Sequence, residues 1–217
     1  MTEPLQRRRA QEKQARHDAI LDAAERVFAD KGYERTSMDD IARTASLSRA
    51  LLYVYFKDKA AIQRGIMIRA GDSLLARFEE AKETRHTGLD QLRAMGEAYY
   101  RFYLEQPDYF SALTHASTAM AEADDQQIRE MVCSKDGLMA LMEAAIERGL
   151  ADGTISRARI QSPQQTALYL RGALHGVIML CQAEMAEGAT AFPADALIRH
   201  TMDMLTSSIR PDPVSQG

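Results

Sequence analysis

The sequence lacks the features that mark several common classes of protein. Its 217 residues include only two cysteines, Cys133 and Cys181, which are too few for a disulfide scaffold or a zinc site. Both fall in apolar helical stretches, so we expect reduced, buried thiols. No apolar run approaches the roughly 20 residues that span a bilayer. The arginines at 7–9 precede a polar stretch rather than the apolar region of an export signal. We therefore expect a soluble, cytoplasmic chain with no membrane partner.

Positive charge is not in excess overall. The chain holds 27 basic and 31 acidic side chains, for a formal net charge of −4. The first 59 residues contain 12 of the basic and 10 of the acidic groups, and the remainder contains 15 and 21. An overall basic protein is excluded, but a weakly basic N-terminal part is not. Any function that involves nucleic acid must lie in the first quarter of the chain.

Signals for β-strands are also scarce. Runs of β-branched residues and strict apolar–polar alternation are nearly absent, whereas helical spacing of apolar residues occurs throughout and predicts an all-α fold. Six prolines and twelve glycines mark few breaks. Nine helices are predicted between these breaks, at about residues 15–31, 38–45, 49–56, 59–84, 88–106, 109–120, 126–151, 163–187 and 194–209.

Residues 37–59 have the frame of a helix-turn-helix, with two short helices joined by a tight break. Ala42 allows the helices to cross closely, Leu47 fills the turn, and Leu52 and Phe56 anchor the second helix. The outer face of that helix then carries Arg49, Ala50, Tyr53 and Val54, with Tyr55 near its edge. An ordinary helical hairpin has the same pattern. Basic residues on both sides, and two tyrosines suited to phosphate oxygens, favour DNA binding.

A longer stretch carries a family resemblance. Residues 19–62 read AILDAAERVFADKGYERTSMDDIARTASLSRALLYVYFKDKAAI. The elements that match at family spacing are Gly32-Tyr33, Thr36-Ser37, Ile41-Ala42, Leu52-Tyr53, Tyr55-Phe56 and Asp58-Lys59. The stretch is similar to the DNA-binding domain of the TetR/AcrR family of transcriptional regulators. We therefore expect a flexible basic arm (1–14), a three-helix helix-turn-helix domain (15–58), a six-helix ligand-binding and dimerisation domain (59–210) and a disordered tail (211–217).

The resemblance implies roles for single residues. Thr36 and Ser37 match hydroxyl positions that touch the DNA backbone, and Tyr53 and Tyr55 match positions that reach phosphates. Lys59 matches a lysine that pairs with a phosphate at a helix start. Arg49 either reads guanine O6 and N7 or makes another phosphate contact. The predicted DNA-binding set is Thr36, Ser37, Ser48, Arg49, Ala50, Leu51, Tyr53, Val54, Tyr55 and Lys59.

Three positions depart from the family pattern. Ser46 occupies the turn position that glycine usually fills, so a serine must tolerate that turn, with φ above zero. Leu51 stands where small or hydroxylated residues are usual, and Val54 where a polar or aromatic residue is frequent. The recognition face is therefore unusually apolar, and thymine methyl groups and DNA shape must carry more of the specificity. The arm at 1–14 either attracts the DNA backbone or is a solvated tail.

The last two predicted helices have apolar residues suited to a dimer. Gly172 and Gly176 form a small-xxx-small step that permits close packing of helices. Helices with two apolar faces can form a four-helix bundle between subunits, and the resemblance implies the same homodimer. The predicted interface comprises Tyr169, Gly172, Ala173, Gly176, Leu180, Ala183, Leu197, Met202 and Leu205. Such a dimer would fit a palindromic operator in double-stranded DNA.

The middle helices contain a candidate ligand pocket rich in methionine and aromatic residues. These residues fit an ordinary core equally well, but methionine adapts to irregular cavities. We expect a small, largely apolar or aromatic effector whose polar group meets Tyr99, Tyr103 or His115. The predicted pocket comprises Met95, Tyr99, Phe102, Tyr103, Phe110, His115, Met139, Met142, Leu174 and Ile178.

No pattern of catalytic or metal-ligating residues accompanies these features. His115 and His175 lack a carboxylate or cysteine at ligand spacing, so we predict no metal, no cofactor and no enzyme activity. The sequence predicts a homodimeric, ligand-responsive repressor. Two alternatives stay open: an all-α enzyme that uses the helical cavity as a substrate site, and a helical regulator that acts through protein partners.

Overall fold

The computed structural model describes residues 3–114, 123–187 and 193–212. Within these ranges the chain forms nine helices and no strand, which confirms the all-α prediction. The helices are α1 (Glu3–Lys31), α2 (Met38–Thr44), α3 (Arg49–Tyr55), α4 (Lys59–Glu83), α5 (Gly88–Glu105), α6 (Pro107–Thr114), α7 (Asp125–Asp152), α8 (Pro163–Glu187) and α9 (Ala194–Ile209). Across the described part of the chain, none of them combines the length and apolar character needed to cross a membrane.

Contacts between residues group the chain into two compact units. The first unit comprises Met1–Ala70 and Asp108–Met131, and the second comprises Gly71–Pro107 and Val132–Gly217. The divisions fall inside α4 and α7. The predicted boundary between residues 58 and 59 differs because it gave the whole of both helices to the second domain.

The core of the first unit joins α1, α2, α3 and the start of α4. Ile20 and Leu21 of α1, Ile41 of α2, Leu52 of α3 and Ile62 of α4 are all almost completely buried. The residues on α1 follow the helical spacing that the sequence shows, so a single apolar stripe supplies the packing surface. These contacts fix the direction in which α3 presents its outer face.

The turn between α2 and α3 contains the one residue other than glycine that has positive φ in the described chain. Ser46 has a φ of 56°, and its neighbour Leu47 donates its backbone N–H to the Ala42 carbonyl at 2.8 Å. The expected left-handed serine is confirmed. Ser48 then caps α3, because its hydroxyl accepts a hydrogen bond from the Leu51 N–H.

The predicted flexible arm is helical over residues 3–14, since α1 begins at Glu3 and not near residue 15. Good helix formers dominate this segment, and Pro4 stands in the first turn, where it is tolerated. Arg8 and Glu12 form a pair at 2.9 Å across one helical turn. The side chains of residues 5–16 are exposed, so the segment is helical without contributing to the core.

One arginine holds α1 against α4 within the first unit. The Arg69 Nη1 atom lies 2.6 Å from Asp22 and 3.1 Å from Glu25, and Nη2 lies 3.2 Å from Asp18. The Tyr109 hydroxyl of α6 donates to the same Glu25 at 2.9 Å. This cluster explains why the first part of α4 belongs with the helix-turn-helix.

The second unit is built around α5. Helix α9 packs on α8 and on α5, and α5 also contacts α8. Met95 and Phe102 of α5, Ile146 of α7, Ile178 of α8 and Ile198 of α9 are almost completely buried. At its start, α5 approaches α7 closely, and the Gly88 N–H donates to an Asp152 carboxylate oxygen at 2.8 Å.

Asp40 fixes the start of α2 through its negative charge. Its Oδ1 atom lies 2.8 Å from Lys31 Nζ, and its Oδ2 atom accepts hydrogen bonds from the hydroxyl and the backbone N–H of Ser37. The Lys31 ammonium, followed by these two Ser37 groups, holds the pKa of Asp40 well below its usual range. The ionised carboxylate therefore stabilises the fold fully above its ordinary pKa of 3.8, and this stabilisation is lost as the pH falls from there.

Replacing Asp40 by asparagine is expected to lower the melting temperature at pH 7, because the ion pair with Lys31 is lost and the hydrogen bonds from Ser37 no longer reach a charged acceptor. The deficit should shrink as the pH is lowered from about 5 to about 2.5, since the wild-type carboxylate then loses its own advantage. Scanning calorimetry over this range measures both effects. Asp30→Asn, at an exposed position of α1, is the control and should behave like wild type. A deficit for Asp40→Asn that does not change with pH would contradict the assignment.

Candidate functional site

Helix α3 presents a polar and apolar outer face to solvent. Leu52 is completely buried and Phe56 nearly so, which anchors the helix. On the other side Val54 is 75% exposed and Tyr53 42% exposed. Arg49 and Ala50, beside them, are exposed as predicted. Leu51 and Tyr55 are half-buried, and Tyr55 packs against the core of the first unit.

The Arg49 guanidinium is held in a defined direction. Its Nη1 atom lies 3.2 Å from an Asp39 carboxylate oxygen of α2, and its Cζ atom lies 5.6 Å from the centre of the Tyr53 ring. An arginine with a fixed orientation can present its paired N–H groups to two acceptors at once. The sequence analysis did not identify Asp39 as a partner of Arg49. The available signal was an acidic residue on the preceding helix, ten positions before Arg49.

Two predicted backbone contacts are engaged inside the protein instead. Thr36 is buried, and its hydroxyl donates to the Gly32 carbonyl at 2.8 Å, so it is not presented for DNA. The Lys59 ammonium donates to the carbonyl oxygens of Tyr33 at 2.6 Å and Glu34 at 3.4 Å, and it lies 4.2 Å from the centre of the Tyr33 ring. Lys59 therefore holds the turn after α1 in this structure. Its ammonium is engaged there, and its phosphate contact stays a prediction.

The two capping serines are placed differently from Thr36. Ser37 and Ser48 are both exposed at the starts of α2 and α3. Their hydroxyls accept from the backbone N–H groups of Asp40 and Leu51, at 3.2 Å in each case. Each hydroxyl oxygen thus lies where a helix begins, beside N–H groups that favour an anion.

A cavity lies within the second unit, among α4, α5, α7, α8 and α9. The space inside it that a water-sized molecule can reach is about 50 Å³, within an open cleft of about 510 Å³ that includes solvent. Four predicted pocket residues line it: Met95, Tyr99, Met142 and Leu174. Its walls also include residues that the sequence did not indicate, namely Phe78, Leu92, Arg93, Gly96, Leu170, Arg171 and Thr206.

The other predicted pocket residues lie elsewhere. Phe102, Met139 and Ile178 are buried in the second unit but do not line this cavity. Tyr103 is half-buried, and its ring stacks on Tyr100. Phe110 belongs to the first unit, which corrects its assignment to the pocket. His115 lies outside the described residues.

Tyr99, Arg93 and Arg171 line the cavity, and His175 is hydrogen bonded to Tyr99 without lining it. The Tyr99 hydroxyl and His175 Nδ1 share a hydrogen bond of 2.7 Å. Burial raises the pKa of Tyr99 to about 12, and burial together with the positive charge of Arg171 lowers the pKa of His175. Both groups are therefore uncharged near neutral pH. Arg93 forms ion pairs with Asp203 at 2.9 Å and with Glu97 at 3.6 Å.

The outer face of α8 is apolar and open. Tyr169 is 56% exposed and Leu180 63% exposed, and a Cβ atom added at Gly172 or Gly176 would meet nothing within 4 Å. Ala183 is exposed too, whereas Ala173 and Leu197 are half-buried. Leu168 of α8 and Met204 of α9 are also exposed, and the sequence did not indicate them.

Two residues assigned to the dimer interface face inwards. Met202 and Leu205 of α9 are buried, and both line the cavity. The apolar stripe of α9 is narrow, and the packing of α9 on α5 and α8 uses it. The two cysteines were both expected to be buried. Cys181 is buried, but Cys133 is exposed.

No group of three or more histidine, cysteine, aspartate or glutamate side chains is arranged to hold a metal among the residues that the structure describes. The candidate site therefore has two parts, the exposed face of α3 and the cavity of the second unit.

Comparison with known proteins gives two matching family models. Residues 20–64 match the model of bacterial regulatory proteins of the tetR family, and residues 92–205 match a tetracyclin repressor-like C-terminal domain. The HTH-type transcriptional activator FasR of Mycolicibacterium smegmatis is 27% identical over 159 residues, which cover 66% of this chain and 71% of that protein. The A-factor receptor protein of Streptomyces griseus is 45% identical over 49 residues, which cover 23% of this chain and 18% of that protein.

Solved structures show the same fold. PfmR of Thermus thermophilus, a TetR family transcriptional regulator, is 24% identical with a TM-score of 0.66, and the match covers 87% of this chain and 97% of that one. The regulator FadR of Bacillus subtilis, solved in complex with stearoyl-CoA, is 18% identical with a TM-score of 0.65. The match covers 88% of this chain and 98% of that one.

Proposed function

The chain belongs to the tetR family of bacterial regulatory proteins and is a DNA-binding, ligand-responsive transcriptional regulator; from this premise we propose that it is a homodimeric repressor of a palindromic operator. The observation that carries the proposal is the exposed face of α3, where the Arg49 side chain is 61% exposed and pairs with Asp39 at 3.2 Å. We propose that Arg49 reads a guanine in the major groove, beside thymine methyl groups contacted by Val54.

The rest of the proposed interface contacts the DNA backbone. Ser48 lies at the start of α3, where N–H groups and a hydroxyl suit phosphate oxygens. Ser37 is exposed at the start of α2, but its hydroxyl donates to Asp40 and would have to turn away from that carboxylate to reach a phosphate. Tyr53 supplies an exposed hydroxyl beside Arg49. The helical arm at 3–14 carries basic side chains in solvent, which supports attraction to the backbone without base readout.

We propose that the open apolar face of α8 forms the dimer interface. The glycines at 172 and 176 allow a second helix to approach closely, and Tyr169 and Leu180 supply apolar area. A two-fold dimer presents two recognition helices, which fit half-sites about 34–36 Å apart in successive major grooves.

Release would follow from effector binding in the cavity of the second unit. The cavity walls are mostly apolar, with methionines that adapt to the shape of a ligand. They therefore suit an effector with an apolar or aromatic body. An effector that binds the released state more tightly than the DNA-bound state lowers DNA affinity by that difference.

Arg49→Ala is expected to weaken binding to the operator by about thirtyfold or more, because it removes one bidentate contact from each half-site and each contact carries about 1–3 kcal/mol of discrimination. A palindrome selected from random duplexes, and a scrambled duplex of equal composition, are titrated by fluorescence anisotropy at several salt concentrations. The loss should be large for the palindrome and small for the scrambled duplex.

Arg129→Ala, at an exposed position of α7 in the first unit, is the matched control and should bind like wild type. An equal loss on both duplexes, with a shallower salt dependence, would make Arg49 a phosphate contact. Failure to select any duplex above background would favour a regulator that acts through protein partners.

A further inference from the structure

The two arginines on the cavity wall differ in how their charges are balanced. Arg93 is paired with Asp203 and Glu97. Arg171 of α8 is half-buried, and no carboxylate in the described part of the chain lies within 4.0 Å of its guanidinium. A charged group removed from water is costly unless a partner balances it. The cavity therefore carries one unbalanced positive charge at its wall.

The neighbouring polar groups cannot balance this charge. Tyr99 and His175 are hydrogen bonded to each other, and both are uncharged near neutral pH. The electrostatic influence of Arg171 reaches both of them. Neither of them therefore supplies a negative charge to Arg171.

The remainder of the cavity suits an apolar group. Its walls include Leu170, Leu174, Met142 and Met202, which are all buried. Apolar walls favour burial of hydrocarbon, because apolar surface is then removed from water. Arg93 is balanced by its own carboxylates, so Arg171 supplies the net positive charge on a mostly apolar wall, and this selects a molecule with an anionic group at one end of an apolar body.

We propose that the effector is an amphipathic carboxylate, with its anionic group bound by Arg171 and its apolar body enclosed by the cavity. This inference rests on the proposed function, since it names the chemical class of the effector for the same cavity. A guanidinium binds a carboxylate through two parallel hydrogen bonds, so Arg171 fixes the orientation of the ligand as well as its charge. Cationic molecules are excluded, and neutral ones bind more weakly.

The test compares ligands that differ only in the anionic group. Decanoate and decan-1-ol form one pair, and 3-phenylpropanoate and 3-phenylpropan-1-ol form a second pair with an aromatic body. Isothermal titration calorimetry on the full chain is expected to show at least one acid binding about tenfold or more tightly than its alcohol. That acid should also weaken binding to the selected palindrome.

Three variants locate the effect. Arg171→Gln should remove the preference for the acid while leaving the affinity for the alcohol unchanged, and Arg171→Lys should restore part of the preference. Arg101→Gln, at an exposed position of α5 away from the cavity, should keep the full preference. The melting temperature of each variant shows that it is folded.

Several results would overturn the proposal. They are equal binding of acid and alcohol in both pairs, binding of neither acid, and an acid preference that survives in Arg171→Gln. A fourth is dissociation of the dimer by Arg171→Gln, which would show that the guanidinium pairs with a second copy of the chain. Binding of the unliganded protein to the palindrome is measured separately, so the proposed function stands or fails independently.

Discussion

Among the glycines of the described helices, Gly88 is the position where replacement by alanine is expected to destabilise the fold most. A Cβ atom at this position would lie 2.1 Å from the Gly149 nitrogen, 2.3 Å from the Ala145 carbonyl oxygen and 2.4 Å from the Gly149 Cα. All three are backbone atoms, so α5 and α7 would have to separate. We expect a loss of at least about 3 kcal/mol in the free energy of unfolding.

Such a loss should lower the melting temperature by roughly 6–12 °C, at about 2–4 °C per kcal/mol for a chain of this size. Circular dichroism during heating measures it. Gly96→Ala makes the same change on the same helix, where the added Cβ would meet Leu174 and Met202 at an ordinary 3.7 Å. Gly96→Ala should be neutral or slightly stabilising, since alanine favours a helix. Equal melting temperatures for the two variants would show that α5 and α7 do not meet as described.

Leu180→Glu is expected to dissociate the proposed dimer. In a two-fold interface one substitution appears twice, so two carboxylates without partners would be buried at the contact. Breaking the dimer removes the second half-site from each binding event, and affinity for the palindrome should fall by more than about a hundredfold. Sedimentation velocity measures the oligomeric state, and anisotropy with the same palindrome measures affinity.

Leu104→Glu is the control for this prediction. Leu104 on α5 is 56% exposed, close to the 63% of Leu180, but it lies outside the proposed interface. It should remain dimeric and bind DNA like wild type. A Leu180→Glu protein that sediments as a dimer would place the interface on another face, whereas a monomer in both wild type and variant would contradict dimerisation itself.

The helices were predictable because apolar spacing reports directly on which residues share a face. The helix-turn-helix was equally accessible, and even the positive φ of Ser46 followed from its position in the turn. Residues 3–14 were not identified as helix because they have no apolar stripe, so only their intrinsic helix propensity supports them.

The functional assignments that changed depend on what covers a residue, and spacing does not reveal this. Thr36 and Lys59 donate to backbone carbonyl groups of the segment that follows α1. A pattern of side-chain types does not report the positions of backbone carbonyl groups. Met202 and Leu205 lie on an apolar face whose partner, α5 of the same chain, is about a hundred residues distant in sequence. Arg171 stands out only when distances to carboxylates are known.

The left-handed Ser46 affects the unfolded chain as well as the folded one. Its native conformation costs about 1 kcal/mol or more relative to glycine. A glycine at the same position would raise the conformational entropy of the unfolded chain. Serine therefore favours folding over glycine by about 0.4–1 kcal/mol through the unfolded state. The two effects oppose each other. Ser46 strains the turn in the folded state, but it also limits the conformations of the unfolded chain from which the crossing of α2 and α3 must form.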